Sequence, residues 1–226
     1  MKILVIGGLG YLGSRISEFL INNNQEIKIT SRKKINFSTI GNKRIQVINI
    51  KWNKTFLKRL LNQFDSIIFV AGYNSQDSVT KRDECMKFSS NNINLLTNVL
   101  RNNSIRSFIF ISTAHVYKSN LIGNIDEKSK ILNNHPYARS KQISEKILIK
   151  NLQDTNINLK IIRLSNAIGY PIFKRNKAWN LFLNDIIRQA VLNGKVVIRS
   201  NPNIQRNFIS ISEVCRFVLF LIRNDK

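Results

Sequence analysis

Residues 2–13 of the chain read KILVIGGLGYLG, an apolar run followed by regularly spaced glycines. Gly7, Gly10 and Gly13 form the pattern G-x-x-G-x-x-G. The pattern follows a predicted strand and begins a predicted helix, which is the context in which such glycines bind a dinucleotide. Glycine lets the backbone approach a pyrophosphate closely, and the helix N-terminus offers N–H groups and a positive dipole end. A tight strand-to-helix turn without a ligand is the alternative interpretation.

Short runs rich in β-branched residues alternate with longer helical patterns along the rest of the chain. The runs are KILVIG, EIKIT, RIQVI, SIIFVA, SFIFIS and NLKIIRL, and the helical patterns cover residues 10–22, 53–62, 80–101, 136–153 and 176–193. Strands that are apolar on both faces and alternate with helices are typical of a parallel sheet covered by helices on each side. The sequence therefore predicts an α/β fold with a Rossmann-type doubly wound parallel sheet.

The composition is that of a globular protein with an unusual charge. Of the 226 residues, 43% are hydrophobic and 22% are charged, and 36 Lys and Arg against 13 Asp and Glu give a net charge of +23. Such an excess attracts nucleic acid, anionic lipid or a phosphate-rich small molecule. The basic residues are spread along the chain without a dense block, so a dedicated nucleic-acid site is not expected.

Two further features bear on the compartment. The longest apolar runs, SIIFVAG and FVLFLI, are too short to span a bilayer, and the N-terminus lacks the pattern of a signal peptide. Cys85 and Cys215 lie far apart without metal-binding spacing, so we expect two buried thiols and no metal site. Together these observations predict a cytoplasmic protein without a membrane span.

The end of the second predicted strand indicates which dinucleotide is bound. An Asp or Glu at this point would accept hydrogen bonds from the ribose hydroxyls of NAD. The chain instead reads KITSRKK over residues 28–34, which places Ser31 and Arg32 there. Hydroxyl and guanidinium groups suit a 2′-phosphate, so these residues favour NADP, with NAD as the alternative.

A second motif, PYARSK at residues 136–141, places Tyr137 and Lys141 one helical turn apart. The pattern alone fits two ordinary side chains on one helix face. The wider sequence changes that interpretation, because five segments together resemble the extended short-chain dehydrogenase/reductase family, in particular its nucleotide-sugar epimerase, dehydratase and reductase group. The segments, in order, are VIGGLGYLG, FIFISTAHVY, PYARSK, IIRLSNAIGYP and IQRNFISISEV, with Asn207 in place of the usual Asp.

The resemblance implies a role for each catalytic residue. Tyr137 would be the general acid/base, and Lys141 would lower its pKa and hold the nicotinamide ribose. Thr113 would hydrogen-bond the reacting oxygen, with Ser112 as the neighbouring candidate.

The resemblance also implies two sets of binding residues. Those expected to contact the cofactor are Gly7, Gly10, Tyr11, Leu12, Gly13, Ser31, Arg32, Asn49, Ala71, Gly72, Asn92 and Lys141. Those expected to contact the substrate are Thr113, His115, Asn166 and Arg206. For Asn92 and Arg206, an ordinary solvated position is an equal alternative. Residues 1–165 would form the NAD(P)-binding domain, and residues 166–226 a small, partial substrate-binding lobe interleaved with the sheet.

The residues after Thr113 argue against one reaction of this group. Sugar-nucleotide 4,6-dehydratases of the usual type carry an Asp-Glu pair there, which performs the elimination of water, whereas this chain has Ala114 and His115. We therefore expect reduction of a 4-keto nucleotide sugar by NADPH. An epimerase that retains NAD is the alternative within the group.

Other interpretations stay open at this point. A non-enzymatic dinucleotide-binding scaffold that contacts RNA is the alternative from another class, and the intact Thr113, Tyr137 and Lys141 disfavour it. A homodimer is compatible with the sequence. Because the chain stops at Lys226, we expect a fragment, a short member of the group or a chain completed by a partner.

Overall fold

The glycine-rich N-terminus forms the first strand of a seven-stranded sheet and the helix that follows this strand. The structure is a computed structural model that describes residues 1–118, 123–174, 176–198, 201 and 204–224. The strands of the sheet are β1 (Lys2–Ile6), β2 (Glu26–Ser31), β3 (Phe37–Ile40), β4 (Lys43–Asn49), β5 (Ser66–Phe69), β6 (Ser107–Thr113) and β7 (Asn158–Leu164). They lie in the order β3-β4-β2-β1-β5-β6-β7. This is the doubly wound order, in which the chain proceeds outward in both directions from β1.

The helices largely follow the predicted pattern. They are α1 (Tyr11–Asn22), α2 (Lys54–Leu61), α3 (Ser75–Thr80), α4 (Arg82–Lys87), α5 (Ile93–Leu100), α6 (Pro136–Leu152), α7 (Phe182–Asn193) and α8 (Ile211–Arg223). The helix predicted over residues 80–101 is divided. Lys81 departs from helical geometry, and Phe88–Asn92 form a π-helical segment between α4 and α5. A 3₁₀ turn, Lys177–Asn180, precedes α7.

One edge of the sheet differs from the parallel arrangement that the sequence predicts. Strand β3 is antiparallel to β4, with Ile40 opposite Lys43. The two strands are joined by Gly41, which adopts φ +59°, and Asn42. A Gly-Asn pair between two strands is a hairpin signal, but the four-residue run FSTI before it is too short to indicate a strand clearly.

The sheet has an apolar core on each face, because side chains alternate along every strand. Ile3 and Val5 of β1 lie in the core beneath α1 and α8. Leu4 and Ile6 lie in the core beneath α2, α5 and α6. Both cysteines are buried free thiols, as predicted.

The chain after β7 first leaves the main sheet and then returns to it. The short strands β8 (Asn166–Ile168) and β9 (Phe208–Ser210) form a separate parallel pair. The following helix α8 packs against α1 in the main core. Within the described ranges, no helix combines the length and apolarity that a bilayer crossing requires.

Candidate active site

A cavity of about 520 Å³ opens at the carboxyl ends of β1, β2 and β5. It lies where the order of the strands reverses, which is the usual ligand-binding position in an open parallel sheet. Of the residues predicted to contact a cofactor, the cavity is lined by Gly7, Gly10, Ser31, Arg32, Ala71 and Gly72. The fold therefore brings these six predicted residues to one cavity, and binding of a dinucleotide there stays a prediction.

The glycine loop is packed so tightly that Gly7, Gly8 and Gly13 leave no room for a side chain. Gly7 has φ +94°, and a Cβ atom there would lie 2.7 Å from the backbone nitrogen of Ala71. A Cβ atom on Gly13 would overlap the carbonyl oxygen of Gly7. Helix α1 starts directly after this loop, and no side chain among the described residues caps it. The helix N-terminus is therefore open toward an anion in the cavity.

Tyr11 and Leu12 are not among the described residues that line the cavity. Their side chains pack against the core on the α1 face, whereas Leu9 forms the cavity wall here. Their backbone N–H groups, in the first turn of α1, remain the proposed contacts to a pyrophosphate.

The end of β2 gives the cavity a positive wall. Arg32 lines the cavity, and its guanidinium carbon lies 5.6 Å from the centroid of the Tyr73 ring. Ser31 Oγ accepts a hydrogen bond of 3.0 Å from the backbone nitrogen of Lys33, which also lines the cavity. No acidic residue is among the described residues that line it.

Asn49 ends β4, and its predicted contact with the cofactor stays a prediction. Its Nδ2 atom donates a hydrogen bond of 3.1 Å to the carbonyl oxygen of Arg32, so it fixes the end of β2. Beyond it, Ile50 and Trp52 reach the cavity wall. The Trp52 ring meets Phe88 edge-on, with centroids 5.6 Å apart. Sequence reasoning missed this aromatic wall, although a Trp directly after a strand end was a usable signal.

Asn92 lies at the end of the π-helical segment Phe88–Asn92 and is half-buried. The segment packs against α6, and its first residue, Phe88, lines the cavity. Single π turns within helices are frequent at functional sites. The cofactor contact of Asn92 stays a prediction.

The lysine of the PYARSK motif extends from α6 to Gly72, one of the residues that line the cavity. Strand β5 ends at Phe69, opposite Phe110, whereas β6 runs on to Thr113. Lys141 Nζ donates a hydrogen bond of 2.9 Å to the carbonyl oxygen of Ile111 on this extension. A Cβ atom placed on Gly72 would lie 3.6 Å from Nζ. Lys141 therefore lies directly against the predicted cofactor wall.

Tyr137 lies one turn earlier on α6, next to Thr113. Burial raises the pKa of its phenol, while a hydrogen bond with the Thr113 hydroxyl lowers it and Cys85 raises it further. This corrects the expectation of a lowered pKa, because desolvation outweighs the stabilisation of the phenolate. Burial also lowers the pKa of Lys141 to about 8, with Glu145 and Cys85 opposing that shift.

The predicted substrate residues lie around His115, which is next to Tyr137. The His115 ring meets the Tyr137 ring edge-on, with centroids 6.3 Å apart. Burial lowers the pKa of His115; a hydrogen bond with Asn166 opposes the shift, and the positive charges of His135 and Arg206 add to it. Arg206 is exposed, and its guanidinium carbon lies 4.6 Å from the centroid of the Phe182 ring. The structure thus places residues from α6, β8 and the segment before β9 around His115, which follows β6.

The comparisons with known proteins agree with this geometry. The model of the NAD dependent epimerase/dehydratase family matches residues 3–226. The chain belongs to this family. The resemblance to the extended short-chain dehydrogenase/reductase group is therefore confirmed.

Relatives of this epimerase/dehydratase chain include enzymes of two types. A dTDP-D-glucose 4,6-dehydratase of Dictyostelium discoideum is 27% identical over 253 residues, which cover 100% of this chain and 56% of the relative. A UDP-glucose 4-epimerase of Pasteurella multocida is 30% identical over 186 residues, which cover 75% of this chain and 54% of the relative. The chain thus spans little more than half the length of these relatives.

Solved structures of the same architecture superpose closely. UDP-glucose 4-epimerase from Thermotoga maritima, solved with UDP-glucose, gives a TM-score of 0.83 at 19% identity and covers 98% of this chain and 73% of that one. MoeE5 in complex with UDP-glucose and NAD gives a TM-score of 0.79 at 19% identity, with 97% of this chain and 71% of that one covered. At these identities the likeness establishes the fold.

Proposed function

We propose that this epimerase/dehydratase-family chain is an NADPH-dependent oxidoreductase that reduces a 4-keto sugar carried on a nucleotide. The observation that carries the proposal is that Tyr137 contacts Thr113 while Lys141, one turn further along α6, lies next to Gly72 in the cavity wall. A dinucleotide in the cavity would present its nicotinamide end to these three side chains. The NADP preference rests on Arg32 in a cavity wall that lacks a carboxylate among its described residues.

The side chains fit the proton chemistry of a carbonyl reduction. When bound, NADPH supplies the hydride. Tyr137 gives its phenolic proton to the carbonyl oxygen, and its raised pKa keeps it protonated in the free protein. Thr113 hydrogen-bonds the reacting oxygen. Lys141 is positioned to hold the ribose hydroxyls and to stabilise the phenolate that remains.

The substrate is held, in this proposal, by the residues around His115. Asn166 and Arg206 contact the diphosphate, and His115 forms the wall beside the sugar. Arginine suits such anions because its donors match phosphate oxygens in pairs. We propose residues 1–165 as the cofactor domain and residues 166–226 as part of the substrate lobe.

Dehydration fits this site poorly, even though several relatives are named dehydratases. Elimination of water needs an acid and a base beside the reacting carbons. Ala114 and His115 occupy the positions where the resemblance leads us to expect the Asp-Glu pair. The His115 pKa is lowered by burial, so this side chain is a weak substitute for a carboxylic acid.

Epimerisation is the second candidate. It is favoured by the relatives named UDP-glucose 4-epimerase, which are 30% and 28% identical to this chain. An epimerase uses the same acid/base tyrosine but regenerates its cofactor, so it needs tightly held NAD and no preference for NADP.

A panel of nucleotide sugars and their 4-keto forms separates the candidates. We expect oxidation of NADPH that depends on a 4-keto nucleotide sugar and is absent from a Tyr137→Phe variant. Interconversion of two nucleotide sugars without net cofactor consumption would identify the epimerase instead. Binding of the cofactor without turnover of any panel member would contradict both reactions for this chain.

A further inference from the structure

A buried ion pair joins helix α6, which carries Tyr137 and Lys141, to strand β7. Glu145 on α6 is 2% exposed and faces Arg163 on β7. Nη2 and Nε of Arg163 donate to Oε2 of Glu145 over 2.8 and 3.2 Å, and Nε also lies 3.3 Å from Oε1. The Ser112 hydroxyl donates to Oε1 as well. The carboxylate is therefore held from two sides by fixed donors.

Glu145 also lies one helical turn after Lys141, at the i, i+4 spacing. A Glu and a Lys at this spacing normally contact each other. Here they do not pair: Lys141 Nζ instead donates to the carbonyl oxygen of Ile111, 2.9 Å away. Ile111 and Ser112 are neighbours on β6, so α6 is anchored to one strand by two adjacent but separate contacts. The arrangement keeps the ammonium and the carboxylate on different partners.

Arg163 is itself held in place. Its Nη1 atom donates to the Tyr117 hydroxyl over 3.0 Å and to the carbonyl oxygen of Glu127 over 3.3 Å. Its guanidinium carbon lies 5.0 Å from the centroid of the Tyr117 ring. A planar guanidinium fixed in this way offers two parallel donors to a carboxylate, which a neutral side chain cannot match.

We propose that Arg163 is a positioning residue that sequesters Glu145 and thereby leaves the ammonium of Lys141 free for the active site. The proposal rests on the proposed function, in which Lys141 supports Tyr137 and the cofactor. Without Arg163, the buried carboxylate of Glu145 would lack its cation. The Lys141 ammonium, which already interacts with Glu145 electrostatically, would then be an alternative partner on α6. Ion pairing in a poorly solvated interior is strong, so Nζ would leave Ile111 and turn toward Glu145.

The surroundings of Lys141 make this competition measurable. The other ionisable residues on α6 and on the described elements that pack against it are Tyr137, Arg139, Glu145, Lys146 and Lys150 on α6, Asp77 on α3, Arg82, Asp83, Glu84, Cys85 and Lys87 on α4, His115 after β6, and Lys160 and Arg163 on β7. Asp77 is paired with Lys177, 2.6 Å away. Glu145 and Cys85 are the groups that raise the pKa of Lys141 against the effect of burial. A closer Glu145 should therefore raise it further.

The experiment measures the pKa of Lys141 in the free protein from the Cε shift of ¹³C-lysine, assigned by its absence in Lys141→Met. The wild type should titrate at about 8. Arg163→Gln should raise this pKa by about one unit or more, the usual effect of an opposite charge that comes into contact. Glu145→Gln/Arg163→Gln should return it to or below the wild-type value. Arg163→Lys, which keeps the charge, should stay close to wild type.

Matched controls separate positioning from general charge or structure. Arg106→Gln removes a cation whose side chain is 70% exposed at the start of β6, and it should leave the Lys141 pKa unchanged. Arg163→Met serves as the second variant if Arg163→Gln does not fold. A folded variant of either kind with a wild-type Lys141 pKa would overturn the proposal, because a merely structural Arg163 would not act on that group.

Turnover provides the second measurement. We expect Arg163→Gln to lower kcat by roughly tenfold, and the double variant to recover most of that loss, as for coupled neighbours. A double variant no faster than Arg163→Gln contradicts the proposal. If no nucleotide sugar is turned over, the proposed function fails while the NMR titration still decides the role of Arg163.

Discussion

The phenol oxygen of Tyr11 donates a hydrogen bond to the carbonyl oxygen of Gly169, 2.8 Å away and 158 residues further along the chain. Asn184, which is 4% exposed, completes the contact: its Nδ2 lies 3.3 Å from the Tyr11 oxygen, and its Oδ1 accepts from the Gly169 nitrogen over 3.1 Å. This buried joint links the first turn of the glycine-loop helix to the segment that follows β8. It therefore ties the proposed cofactor site to the proposed substrate lobe.

Tyr11→Phe should destabilise the protein by about 1–3 kcal/mol, because the part-buried carbonyl oxygen of Gly169 loses this donor and Asn184 Nδ2 keeps only its hydrogen bond to the Ala178 carbonyl. The free energy of unfolding in urea measures the effect. Tyr170→Phe is the matched control, since Tyr170 is 59% exposed and the change should be within about 0.5 kcal/mol of zero. Equal stability of the two variants would show that the joint contributes little.

Arg32→Ala should weaken NADPH binding by about 1.5–3 kcal/mol, the scale of a hydrogen bond to a charged group, and leave NADH binding nearly unchanged. Quenching of tryptophan fluorescence reports binding, because Trp52 lines the cavity. Arg44→Ala is the control: its guanidinium lies over the Phe37 ring, at the antiparallel edge of the sheet. Tighter binding of NADH than of NADPH by the wild type would contradict the NADP assignment.

The sequence predicted most of the sheet and much of the site because both depend on local patterns. For the strand that ends at Ile6 and the glycines after it, the spacing of residues within the segment is enough to predict the local structure. Trp52 and the Arg163–Glu145 pair were missed for a different reason. Their roles depend on contacts between segments distant in sequence, such as β7 with α6, and no periodicity reports such contacts.

The raised pKa of Tyr137 is a second property that the sequence pattern could not predict. Proximity to Lys141 along a helix suggested a lowered value, but burial in the folded protein dominates. A sequence gives the identity and spacing of two ionisable groups, whereas desolvation depends on everything that packs around them.

Gly10→Val should abolish cofactor binding and leave the fold intact. Gly10 has an extended backbone with φ −72°, and a Cβ atom there would approach only the carbonyl oxygen of Gly7, at 3.3 Å, among the described residues. A shift of a few tenths of an ångström in the loop would therefore admit a side chain, whereas a pyrophosphate in the cavity would collide with it. Unchanged far-UV circular dichroism with no fluorescence response to NADPH is the expected result. Gly13→Ala, whose Cβ would overlap the loop backbone, should instead lower stability.

Lys141→Met should change how stability depends on pH. Burial lowers the Lys141 pKa from its ordinary 10.5 to about 8. Between these values the unfolded chain binds a proton that the folded protein does not, so wild-type stability gains with rising pH. The difference in unfolding free energy, wild type minus variant, should therefore increase from pH 8 to 10.5 and stay constant below 8. A difference that stays flat over this window and falls only above pH 10.5 would place the lysine in a charge-stabilising site.

Tyr137→Phe tests the chemistry most directly. The substitution keeps the ring, which contacts His115, and removes only the phenolic oxygen that interacts with Thr113. General acid/base groups contribute about 10²- to 10⁴-fold, so the single-turnover rate of hydride transfer should fall by that order. NADPH affinity should stay within about threefold of wild type, a loss below 1 kcal/mol, because the phenol acts on the substrate. Tyr170→Phe, an exposed tyrosine, should leave both quantities unchanged. If the variant retained more than about a third of wild-type turnover, the loss of rate would be far smaller than that range. Tyr137 would then not be the proton donor.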